Sequence, residues 1–210
     1  YSVINIFDLA TDHVKQISHK SRLFSPSLSA DAKTIVAVKI STSNLFSLIE
    51  LNAENGSILR EYPVKEGFSL QNPSYNEHGD QIICVVMSKD GAALMEFKRA
   101  DRSNRIITPF QRQQIMRPVY AGKNILFRAH YNGLNNIYCL TPEYETIPIT
   151  SSSYGATNPS YDQVRNRVLF NNYQLKGYDI VSIPFELQKK QKGTDTFIDY
   201  ASPLVKQEAN

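Results

Sequence analysis

The chain has 210 residues, with 23 Lys and Arg against 20 Asp and Glu and a formal net charge of +3. A length of this order buries roughly 70% of the unfolded surface, which fits one globular unit, and a charge so small and scattered leaves no footprint for nucleic acid or an anionic membrane. No apolar run reaches the roughly 18 residues that a spanning helix needs. The chain opens on Tyr1 inside a strand-like run, so it is expected to have been processed or cut from something longer, and the lack of a leader says little about compartment.

In chain order, VINIFDL (3–9) and HVKQIS (13–18) read as two strands. SPSLSADAKTIVAVK follows at Pro26, then LFSLIEL (45–51) and, after the Asn55-Gly56 turn signal, ILREYPV. The same order returns as NPSYNEHGDQIICVV at Pro73 with ALMEFK (93–98) and RIITPF, and as RPVYAGKNILFRAH at Pro118 with NIYCL (136–140) and ETIPIT. A last copy, NPSYDQVRNRVLFNN at Pro159, is followed by YDIVSI (178–183). The prolines are 47, 45 and 41 residues apart. Gly91, Gly133 and Gly177 sit in the turns before the second runs, where hairpins require φ > 0.

Runs such as QIICVVM and NILFRA are short, rich in Ile, Val and Phe, and bounded by polar turns, which is strand and not helix patterning. In QIICVVM, Ile82, Cys84 and Val86 point one way while Ile83, Val85 and Met87 point the other, so the strand must be covered on both sides. Counting the short piece at each proline, a complete unit has four antiparallel strands, and such units at this period describe the blades of an all-β propeller. A single sheet cannot hide two apolar faces, whereas radially stacked copies cover one another.

The reading gives 1–184 as propeller repeats, with 1–18 as the end of a preceding blade, and seventeen strands in all. Seventeen does not divide into blades of four. Strands borrowed across the termini would close a four-bladed ring with one to spare; an arc of a larger ring is preferred, because the chain starts in mid-blade. Residues 185–210 are polar and mixed in charge, with a helical-turn pattern at FELQKKQ, and are expected to be a linker or tail. Cys84 and Cys139 sit inside apolar runs and read as small buried hydrophobes.

The order proline, aromatic, polar turn, apolar strand, then a glycine turn and an Ile-Tyr-like strand resembles the TolB-type propeller repeat, also called the WD40-like repeat of bacterial periplasmic proteins. The carriers are Pro73 with Tyr75, Pro118 with Tyr120, Pro159 with Tyr161, and the segments YNGLNNIYCL and LKGYDIVSI. The chain departs from that family in lacking tryptophan and in its turns SADAK, EHGDQ, AGK and QVRNR, which leaves the fold expectation intact and removes any transfer of a particular ligand. The resemblance implies a six-bladed ring, with about seven strands not in this chain. It also implies a periplasmic or outer-membrane-associated protein, and it allows a neighbouring peptidase domain.

No catalytic constellation assembles from the sequence. His13, His19, His78 and His130 lack the spacing of a metal site, and no G-x-S-x-G elbow, phosphate loop or calcium loop is present. Neither cofactor nor metal is therefore expected. His130 stands out only for its place beside the YNG turn.

In an up-and-down blade, the loops entering the inner strands and the turns between strands two and three share one end of the ring. Arg22, Gln71, Asn72, Arg117, Tyr154 and Asn158, with His130, are the candidate contact residues there, because Arg and aromatic side chains are frequent binding anchors. The function expected is a non-catalytic module that binds a protein or peptide, including other domains of the same full-length chain. The alternatives are a gating or substrate-positioning domain of a larger hydrolase, and a propeller that binds a glycan or small ligand in its channel or acts as a lyase through His130 or His19.

Overall fold

The computed structural model describes residues 1–187. Within them the strands are β1 (Asn5–Asp8), β2 (His13–Gln16), β3 (Leu23–Leu28), β4 (Thr34–Ile40), β5 (Phe46–Asn52), β6 (Ile58–Pro63), β7 (Ser69–Tyr75), β8 (Gln81–Ser88) and β9 (Gly91–Lys98). They continue as β10 (Asn104–Ile106), β11 (Ile115–Ala121), β12 (Asn124–Ala129), β13 (Asn136–Leu140), β14 (Thr146–Pro148), β15 (Ala156–Asp162), β16 (Arg167–Gln174) and β17 (Gly177–Pro184). Strands β3–β6, β7–β10 and β11–β14 form three four-stranded antiparallel sheets, β15–β17 a three-stranded one, and β1–β2 a separate pair. The expected helical turn and polar tail fall mostly outside the described residues.

The alternation read in QIICVVM decides the packing. Ile82, Cys84 and Val86 enter a core shared with Val36, Val38 and Leu48 of the first four-stranded sheet. Ile83 and Val85 enter another with Phe127, Tyr138 and Leu140 of the third. Met87 is the exception, at 38% exposure near the strand end. A third core joins Leu126, Ile137 and Cys139 to Val168 and Phe170 of the last sheet, and Ile4 and Ile17 cover the free face of the first. Each sheet is thus one layer in a row of layers. The inner strands β3, β7, β11 and β15 stand side by side, and among the described residues no strand of the last sheet touches the first, so the structure is an arc.

The sequence reading treats the piece at each proline as short, and here the structure differs. The inner strands are six or seven residues long, as long as their neighbours, but each is interrupted by a bulge, between Phe24 and Ser27, Gln71 and Ser74, Met116 and Val119, and Thr157 and Ser160. Proline has no N–H to give to a ladder and is tolerated in sheets at bulges. Its recurrence therefore marks where pairing breaks. Gly91 shows why one hairpin glycine is required: its φ is +119°, and a Cβ there would lie 2.2 Å from the Gln111 carbonyl oxygen.

The tyrosine two residues after the proline ties one sheet to the next. Glu50, on β5, is fully buried. Its Oε2 accepts from Arg60 Nη1 (3.1 Å) and the Tyr62 hydroxyl (3.0 Å) within the same sheet. Its Oε1 accepts from the Tyr75 hydroxyl (2.8 Å) of the following sheet and lies 2.6 Å from Arg99 Nε, also of that sheet. Arg99 stacks on Tyr75, its guanidinium carbon 5.5 Å from the ring centroid, and donates to the Gly79 carbonyl. A buried carboxylate survives only when charges and lone pairs are matched, and here they are. Burial, reinforced by the carboxylate, raises the Tyr62 and Tyr75 hydroxyls above the ordinary phenol range, so both remain donors. The next interface repeats the device with Glu96 on β9, which takes Arg105 Nε and Nη2 (3.0 and 2.9 Å) and the Tyr120 hydroxyl (3.2 Å). At the last interface Cys139 stands in the glutamate's register, and the Tyr161 hydroxyl turns to Asn166 instead (2.9 Å).

Two outcomes follow from this packing. Removing one partner of a buried ion pair costs about 3–5 kcal/mol, so Arg99→Ala is expected to lower the free energy of urea unfolding by about 3 kcal/mol. Glu61→Ala, which breaks the exposed Lys39–Glu61 pair (3.0 Å), should change it by less than about 1 kcal/mol; similar losses would show that burial is not what matters. Cys84 and Cys139 are both free and fully buried, and burial pushes the Cys84 thiol up and the Cys139 thiol up to about 12. A thiol-disulfide reagent at mildly alkaline pH should therefore label neither in the native protein and both in urea, and native labelling would contradict the packing.

Candidate functional site: the channel of proline bulges

The four bulges bring the same local structure to the ring axis. Ser25, Asn72, Arg117 and Asn158, each immediately before its proline, have φ of +51°, +49°, +54° and +54°. Together with Pro26, Pro73, Pro118 and Pro159 they line a cavity of about 310 Å³ between the inner strands. Left-handed backbone is uncommon for non-glycine residues; Asn tolerates it and Arg has no such excuse. The bulged strand leaves a residue unpaired and re-aims it. The prolines of the last three units are buried while Arg117 and Asn158 are exposed, so the geometry turns the polar residue towards the axis.

Neighbouring bulges communicate. The Arg117 backbone N–H donates to Asn72 Oδ1 (3.4 Å), linking the second four-stranded sheet to the third, and Asn158 Nδ2 donates to Asn171 Oδ1 (3.3 Å). Arg128 lies close to Arg117. Burial, and then the positive charge of Arg117, pull its guanidinium below the usual arginine value, and its Nη2 is held by Gln114 Oε1 (3.1 Å) and the Met116 sulfur. Among the described residues no carboxylate bonds either guanidinium.

Of the residues picked out from sequence, Asn72, Arg117 and Asn158 come together here. Gln71, half-buried, precedes its bulge on β7. Arg22 instead lines a groove beside the N-terminal segment, where it bridges to Ser2 and its Nη1 donates to the Ser41 carbonyl (3.3 Å). His130 is half-buried beyond the end of β12, its carbonyl accepting from the Gly133 N–H (3.2 Å), and Tyr154 is 46% exposed on a loop. Ser25 was missed; its position before the proline in register with Asn72 was the available signal. Among the described residues no group of three or more His, Cys, Asp or Glu is placed to hold a metal, and no helix is long and apolar enough to cross a membrane.

The loops at the channel's entry end are unevenly charged. The segments entering the inner strands and the turns between strands two and three carry Lys20, Arg22, Lys65, Lys89, Arg112, Arg117 and Lys176 against Glu66 and Asp90. That excess exceeds the net charge of the whole chain, so the rest of the sequence is net acidic.

These sheets and their axial channel define a β-propeller arc. No family model matches the sequence, and no curated protein matches it. Among solved structures, TolB from Acinetobacter baumannii aligns with a TM-score of 0.73 at 15% identity, over 86% of this chain and 45% of that one. A putative TolB from Agrobacterium tumefaciens gives 0.71 at 14% identity, over 86% of this chain and 68% of that one. A structure from a study of two prolyl endopeptidases gives 0.61 at 8% identity, over 87% of this chain and 30% of that one. The chain therefore has the architecture of a TolB-type β-propeller, and it spans 45% and 68% of the two TolB chains.

The strained bulges make a measurable expectation. A non-glycine residue held in the left-handed region costs about 1–3 kcal/mol, so Arg117→Gly should raise unfolding free energy by about 1 kcal/mol after the entropy of glycine is allowed for. Asn72→Val, which forces a β-branched residue into the same conformation, should lower it by about 2 kcal/mol. If both substitutions leave urea unfolding unchanged, the bulge geometry is wrong.

Proposed function

We propose that this protein is a binding module without chemistry of its own, which uses the basic mouth of its channel to hold an acidic or carboxylate-bearing protein or peptide segment. The single observation that carries the reading is the ring of polar residues in left-handed backbone around the axis, with Arg117 among them and Arg128 beside it. Strained backbone concentrates where a site must be presented in fixed form. Guanidinium groups left without a carboxylate are suited to accept one from outside, bidentately. The setting this reading implies is the bacterial cell envelope, by likeness to TolB.

A second reading, a domain that gates or positions substrate for a hydrolase encoded in the same full-length chain, is favoured by the likeness to the prolyl endopeptidase structure. A glycan or small ligand would use the same cavity. The readings part in one experiment. Pull-down with the intact polypeptide from envelope extract, followed by affinity measurement, is expected to yield a partner whose binding falls about tenfold in Arg117→Ala and weakens steeply with added salt. A partner whose affinity is indifferent to Arg117, Asn158 and salt alike would overturn the channel-mouth reading.

A further inference from the structure

We propose that the cavity between the second and third four-stranded sheets is a binding site for a guanidinium group, supplied by a small molecule or by an arginine side chain of a peptide. The repeat itself supplies the argument. Glu50 and Glu96 occupy one register position, facing Val36 and Ile83 across the middle strands, and each is held by an arginine of its own sheet and a tyrosine of the next. Glu50 has two further partners: the Tyr62 hydroxyl, which donates to it, and the Arg99 guanidinium, which pairs with it as a charge, Nε lying 2.6 Å from Oε1.

At the second interface both are replaced by residues that cannot donate. Ile107 stands where Tyr62 stands, two residues beyond the arginine. Pro142 stands where Arg99 stands, three residues beyond the register position held by Glu96 in one sheet and Cys139 in the next. Both line a cavity of about 420 Å³, with Glu96, Tyr120, Gly122 and Tyr144. The cavity thus borders both places where those side chains would stand.

What remains in it is the receiving half of the Arg99 interaction. Glu96 Oε2 is engaged by Arg105, but among the described residues Oε1 accepts only the Tyr120 hydroxyl (3.2 Å), where Glu50 Oε1 accepts from Tyr75 and also lies against the Arg99 guanidinium. A carboxylate offers about four lone-pair directions, so Oε1, with one donor on it, has capacity for another, and Glu96 lines the cavity. The Tyr120 ring corresponds to the Tyr75 ring on which Arg99 stacks, and the Gly122 turn, two residues shorter, has the place in its sheet of the Gly79 turn whose carbonyl takes the Arg99 Nη1 proton. A planar cation that stacks on an aromatic face while donating in a fork fits these three elements better than an ammonium does. Glu96 is 6% exposed, so its charge is little screened. Lys123 and His78 stand exposed at the rim and set the limit on how strongly a second cation is held.

The test titrates the 210-residue protein with agmatine, with N-acetyl-arginine amide and with neutral N-butylurea, followed by NMR shifts at Tyr120 and by calorimetry. Saturable one-to-one binding of a guanidinium probe and none of the urea is expected; agmatine alone points to a free small molecule, and binding of the arginine amide to a peptide source. Pro142→Arg should weaken binding at least tenfold by supplying the missing group from within, and Glu96→Gln should do the same. Arg99→Ala should add a second equivalent of binding at the first interface. Lack of binding at millimolar probe, equal binding of the urea, or undiminished affinity in a folded Pro142→Arg protein overturns the assignment.

Discussion

The whole structure depends on the fact that its middle strands are apolar on both faces. A strand such as Gln81–Ser88 gains nothing by closing against a single partner layer, because the second face stays in water. A sheet built on such a strand must therefore sit between two layers, and the rest is geometry: layers that each twist in the same sense stack as wedges, inner strands meet along an axis, and a channel follows. The inward turn of the bulges adds the polar lining that the axis needs.

Set into those dry layers, the carboxylates of Glu50 and Glu96 act against simple apolar economy. Each is buried with its donors drawn from two sheets, so the tyrosine after the repeated proline does more than fill volume. It orients one layer on the next, a specification that greasy contact alone, being non-directional, does not provide. The variation from interface to interface is informative for the same reason. Two arginines and two hydroxyls surround the first carboxylate, the second has one arginine and one hydroxyl, and the third interface replaces the acid by Cys139.

The architecture was largely legible in the residues, since β-branched runs, glycine turns and the proline period each carry a local signal. The strand count, the faces of QIICVVM and the resemblance to TolB-type repeats all follow from such signals. The inner strands were shortened in that reading because their sequences are polar, and a strand lining a channel has no need to be otherwise. Bulges were illegible: a residue before proline is ordinarily extended, and nothing in Ser25 or Arg117 announces a positive φ. The roles of Glu50 and Tyr75 required register across sheets, which pattern within a strand does not contain. Arg22, Tyr154 and His130 were grouped with Asn72 and Asn158 because they share an end of the ring, but loop reach is not fixed by topology, and the first three lie apart from the channel.

The nearest-neighbour layering also dictates how the molecule comes undone. Among the described residues the first and last sheets each have a single four-stranded neighbour, whereas the two between them are clasped from both sides, and Ile180 on the outward face of the final sheet is 80% exposed. In a linear array of this kind cooperativity is strongest in the interior and weakest at the ends. Fraying therefore starts at the flanks, and amide protons of Gln81–Ser88 outlast those of Gly177–Pro184 in exchange with solvent.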